Sequence, residues 1–149
     1  HMVLHSLTKS AIFFCVGHIA QVKGTQRMAD IRGLTVSHPV LGWSLVVGVV
    51  AIAGLPPLGI FMTEFLIITS TFARAPALAI VLGLSLLVAL GALLLRLNGL
   101  AFGDPDGRND PSQASFLPVG LHLALVLVAG IWLPPALVSW FQYVATLLN

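Results

Sequence analysis

The sequence predicts an all-α, polytopic transmembrane helix bundle of about four spans, on three observations. First, 58% of the 149 residues are hydrophobic and 8% are charged, with a mean hydropathy of +1.01. Soluble domains carry about a quarter charged residues, and seven basic and five acidic side chains cannot cover a globule's surface. Second, apolar runs long enough to cross ~30 Å of hydrocarbon at ~1.5 Å per residue recur along the chain. Third, a Gly-Leu-Pro-Pro sequence interrupts one of those runs, a feature of discontinuous membrane helices.

The first span is expected at residues 2–20, opening in mid-helix with HMVLHSLTKSAIFF and without the basic leader or small-residue cleavage site of a signal peptide. Residues four apart lie on nearly one face of a helix, drifting by about 40° per step. His1, His5 and Lys9 therefore form a stripe that Phe13 continues, with Ser6 and Thr8 adding hydroxyls able to carry a water chain. A lysine two turns into a lipid-facing surface costs about 2.5–3.5 kcal/mol or more, so Lys9 is expected to face the bundle interior. The alternatives are that Lys9 snorkels to an interface from a helix that starts later, and that His1 is the remnant of a cloning site.

The second span is expected at residues 39–74, broken between Gly54 and Pro57. Pro56 and Pro57 remove two backbone donors, and the carbonyls they free must be met inside protein or in a cavity. Glu64 follows about two turns later with Thr63 beside it, and an intramembrane carboxylate is by default a functional candidate. The bland alternatives are a kink or a short loop at the prolines and a structural ion pair at Glu64. The third span is expected at residues 77–102, with Arg96 snorkelling near its end. The fourth is expected at residues 118–133, followed after Pro134 and Pro135 by a terminal interfacial helix, residues 136–148, with Trp140 and Tyr143 suited to the membrane surface. His18 is placed near one end of the first span. His38 is an ordinary residue before a proline, and His122 is expected to be a hydrogen-bonded core histidine.

Loops 21–38 and 103–117 hold Lys23, Arg27, Arg32 and Arg108 with Arg96 beside them, whereas the turn after the second span offers only Arg74. Both loops are accordingly expected to be cytoplasmic, although Asp104, Asp106 and Asp110 share the second. The net charge of +2 and pI near 9.2 reflect this topology, and no basic cluster with interleaved aromatics points to nucleic acid. Cys15 is alone and allows no disulfide framework. The sequence offers no nucleophile with a partnered base, no phosphate loop and no full ligand set beside the His1–His5 pair. No catalytic residue, metal or cofactor is expected.

The pattern HxxxHSLTKSxxFFxxG, an IRGL loop and AGLPPLGIFMTEFLI resemble the antiporter-like membrane subunits of respiratory complex I and of membrane-bound hydrogenases, most closely the F components of the hydrogenase-4, or formate hydrogenlyase, type. The resemblance weakens after Phe102. It implies a C-terminal fragment of a longer subunit built on inverted repeats, in a bacterial inner membrane, with protons as cargo. Its partners would be the missing N-terminal part and other membrane subunits. It also implies that Lys9, with His1 and His5, belongs to a central hydrophilic axis, and that Glu64 lies at the exit of a half-channel. The family's other essential pair, a glutamate and a lysine of the first repeat, has no counterpart in these residues, so the chain alone is not expected to pump. Three function classes stay open: a proton-translocating part of a redox-driven complex, a subunit of a multisubunit cation/proton antiporter, and a structural membrane anchor.

Overall fold

The computed structural model describes residues 1–105, 107 and 115–147. Arg108, Asp106, Asp110 and Leu148, invoked above, lie outside the described residues.

Helix α1 runs Met2–Lys23, and its buried positions include Leu4, Thr8, Ala11, Cys15, Ile19 and Val22. They recur every three or four residues, which sets them on one face, and that face packs on the third and sixth helices. The helix outlasts the expected end at residue 20. Helical geometry continues to Lys23 and is closed by Gly24, whose φ of 63° is left-handed, as a C-terminal glycine provides. Lys23 is buried there and donates from Nζ to Ser37 Oγ at 3.2 Å.

The connection that follows contains one 3-10 turn, Met28–Asp30, and the short helix α2, Leu34–Ser37. Helix α3, Pro39–Ile52, begins with proline in its first turn, where the missing N–H costs nothing. Residues 53–58 are not helical, and α4 resumes as Gly59–Arg74. The predicted break therefore falls where the prolines are. Helix α5 is Pro76–Ala101, α6 is Leu117–Ile131 and α7 is Pro135–Thr146.

The four expected spans are not equivalent. Helices α1 and α5, with 22 and 26 residues, reach about 33 and 39 Å and are long enough to cross a bilayer. Helices α3 and α6, with 14 and 15 residues, reach only about 21–23 Å and are too short alone. The fourth span ends at Ile131 instead of residue 133, because Pro134 and Pro135 offer no N–H and push the preceding residue out of the helical region. Helix α7 then leaves α6 at 75°.

Two apolar clusters hold the bundle. One joins Cys15, Ile19, Leu34, Leu45, Leu97 and Val119 across five helices. The other gathers Ala51, Leu58 and Val126 around the break, with Leu7 and Val50 packed on it. Along α5, Leu78, Ile80, Val81, Leu84, Leu87 and Val88 are all more than half exposed. An apolar face of that extent is stable against hydrocarbon, not water.

Gly130 fixes how α6 meets the break. A Cβ there would collide with the Pro57 carbonyl oxygen and come within 2.7 Å of the Gly59 amide nitrogen. Gly130→Leu is expected to lower stability by about 1–3 kcal/mol or more through overpacking, seen as a lower Tm in detergent. Gly83→Leu, at a position with nothing within 4 Å, should leave Tm unchanged.

Candidate functional site

The break is closed by local hydrogen bonds. The Ala53 amide donates to Val49 O at 2.9 Å, the Gly54 amide to Ala51 O at 3.2 Å and the Leu55 amide to Val50 O at 3.2 Å. Pro56 and Pro57 have no N–H, and the bond between them is cis. The Leu58 amide then donates to Leu55 O at 3.2 Å. Gly54 sits at φ 66°, in a region that glycine enters without a steric penalty.

Glu64, on the second turn of α4, folds back on this turn. Its carboxyl occupies the space a Cβ on Gly54 would need. The sequence positions the acid near the break, and the close approach of carboxylate to the Gly54 backbone is a product of the fold. Glu64 is partly buried.

The start of α1 lies beside the start of α4. His1 Nδ1 and Thr63 Oγ1 are 2.9 Å apart, and Thr63 Oγ1 donates its proton to Ile60 O at 2.9 Å. When that one proton goes to Ile60 O, the Thr63 oxygen accepts from His1 Nδ1–H. The His1 and His5 rings lie 5.6 Å apart. His1, His5 and Thr63 thus form one group, and Glu64, the residue after Thr63, reaches the break.

Lys9 is not part of that group, and these residues alone do not bury it. It is exposed and, among the described residues, forms no hydrogen bond or ion pair. The cause is the ~40° drift per step of an i, i+4 stripe. His1, though exposed, meets α4, His5 is half-buried, Lys9 has rotated away, and Phe13 is 79% exposed. Thr8 lies on the core face instead, fully buried, and donates to Leu4 O at 2.8 Å, so its proton is committed to its own helix. Ser6 is exposed. Arg96 is exposed and shares a cleft with Arg32.

Two histidines outside the stripe have defined surroundings. His122 donates from Nδ1 to Pro118 O at 2.7 Å and packs its ring on Phe14 at 5.6 Å, which matches its expected role as a core histidine. His18, one turn beyond Phe14, has a buried Nδ1 without a hydrogen-bond partner. The His1–Thr63 contact spans 62 residues and left no local signal in the sequence.

An all-helical bundle with apolar outer faces, one helix broken and a carboxylate packed on the break, defines an integral membrane subunit of the antiporter-like class. The chain belongs to the family described as NADH:quinone oxidoreductase/Mrp antiporter, TM, which matches residues 1–90. It is 56% identical over its whole length to a hydrogenase-4 component F homolog from Methylacidiphilum infernorum, covering 31% of that protein. It is 30% identical to NADH-quinone oxidoreductase subunit M of Mycobacterium tuberculosis over 92% of the chain and 26% of the relative. The fold superposes with a TM-score of 0.72 on a chain of the Mrp complex from Dietzia sp., at 17% identity, covering 86% of this chain and 33% of that one. The chain therefore spans about a third or less of the length of the curated relatives it matches.

The Gly54–Glu64 contact predicts a specific coupling. Gly54→Ala adds a Cβ at positive φ and displaces the carboxyl, and should cost more than about 1 kcal/mol. Glu64→Ala in the same chain should return the steric part of that loss while the backbone part remains. A double-mutant cycle on Tm in detergent measures the difference.

Proposed function

We propose that this chain is part of a proton-translocating membrane subunit of a redox-driven complex of the NADH-quinone oxidoreductase or membrane-bound hydrogenase type. The observation that carries the proposal is the Glu64 carboxyl seated on the Gly54 turn of a broken helix. Discontinuous helices expose backbone dipoles at membrane depth and recur at ion sites. The 56% identity to a hydrogenase-4 component F homolog supports the redox-driven assignment, with electron-transfer chemistry in partner subunits and none of its own here.

In this proposal a proton reaching His1 on Nε2 releases the Nδ1 proton to Thr63 Oγ1, whose own proton turns away from Ile60 O toward the Glu64 side. His5, whose ring centre lies 5.6 Å from that of His1, feeds it. Lys9 extends the path on the exposed face of α1, which the remainder of the subunit would cover. Loops 21–38 and 103–117 would lie on the cytoplasmic side of a bacterial inner membrane, and α7, turned 75° from α6, would lie along its surface.

A second reading, a subunit of a multisubunit cation/proton antiporter, is favoured by the fold match to the Mrp complex. Proton movement that depends on sodium and needs no electron donor would select it.

The test is proton uptake by sealed vesicles holding the complete complex, with Lys9→Ala and Glu64→Gln compared at equal assembly and equal electron-transfer rate. Uptake is expected to fall at least tenfold in each variant while redox turnover persists. Unchanged uptake in both overturns the proposal, and a charge-swapped Lys9→Glu/Glu64→Lys chain with full uptake would assign the pair to scaffold.

A further inference from the structure

Four of the basic residues, Lys23, Arg27, Arg32 and Arg96, collect where α1 and α5 end. Arg32 and Arg96 line one cleft of about 240 Å³ whose floor is Met28, Ile31 and Leu100. Those same three residues also line an adjoining apolar groove of about 390 Å³ beside Val16 and Gly17 of α1. Among the described residues, two acids lie near this end. Asp30 Oδ2 is 3.9 Å from Arg27 Nε, and Asp104 is exposed on the segment whose backbone packs against Gly33. Among the described residues neither Arg32 nor Arg96 forms an ion pair. Two guanidinium groups that no described acid pairs, beside a groove with apolar walls, are complementary to a ligand with an anionic head and a hydrocarbon tail.

We propose that this end of the bundle binds one anionic phospholipid, its phosphate held between Arg32 and Arg96 and one acyl chain laid past Met28, Ile31 and Leu100 into the groove beside Gly17. Arginine presents paired N–H donors that match phosphate oxygens two at a time, and basic pockets between membrane helices favour anionic head groups. The groove volume lies within the range of about 300–1,000 Å³ usual for small-ligand sites.

The site is tested on the complete complex purified in mild detergent, by native mass spectrometry of retained lipid and by the Tm shift on adding phosphatidylglycerol, phosphatidylcholine or inorganic phosphate. The wild type should retain anionic phospholipid and gain Tm with phosphatidylglycerol alone. Arg32→Gln/Arg96→Gln should lose the retained lipid and the shift, whereas Arg74→Gln, at the opposite end of its bundle, should keep both. Gly17→Leu, which fills the groove with the arginines intact and has nothing within 4 Å of its Cβ, should lose them too. A double variant that keeps the lipid, or an equal shift from phosphatidylcholine, overturns the proposal. A shift reproduced by inorganic phosphate, or retained in Gly17→Leu, overturns the seating of an acyl chain.

Discussion

Backbone polar groups cannot be left unpaired in hydrocarbon, and the rest of this structure is arranged around that constraint at residues 53–58. A run of apolar residues alone would have made residues 39–74 one continuous helix. Pro56 and Pro57 prevent it by withdrawing two donors and excluding the helical turn before them. The remaining amides of the break are satisfied within it. Surroundings that would be lipid elsewhere are here filled by protein: Leu4 of α1 and the Val126–Gly130 turn of α6 press on Gly59 and Leu58. An interrupted helix thus draws two neighbours, α1 and α6, to one point, and His1 of α1 meets Thr63 on the half-helix that also carries Glu64.

Helix α1 serves two surfaces at once. One repeat of three and four residues, Leu4 to Val22, makes the packed face. The strict four-residue repeat of His1, His5, Lys9 and Phe13 cannot stay parallel to it, because 3.6 residues per turn make a four-residue stripe climb around the axis. The stripe therefore starts at the break, where His1 meets Thr63, and ends on the outer surface. A single helix in this way links the polar group at the break to a face that this chain itself leaves open.

Charge is distributed along the bundle as unevenly as polarity is around it. Basic residues gather where α1 and α5 end, and Arg74 stands alone at the other end of α4. Arginines at that level reach the interface with their stems on apolar surface. The cleft between Arg32 and Arg96 arises because the connection through Met28–Asp30 folds back against α5. Neither helix alone would build it.

The sequence by itself determined the solvent, the helical class and the place of the break. Those follow from composition, from run length and from two prolines, which act locally and leave neighbouring residues little choice. It also singled out Glu64, because a carboxylate is conspicuous in an apolar run. The tertiary structure alone decided which side of α1 packs on the rest of this chain, and Lys9 lies off that side. A polar stripe and an apolar stripe share that helix, and the contacts of α1 with α3 and α6 chose the one containing Thr8 and Cys15. It likewise decided that α3 and α6 are too short to span alone and that His1 meets a threonine 62 residues away. Periodicity fixes which residues share a face, but only packing between helices fixes which face is covered and what it meets.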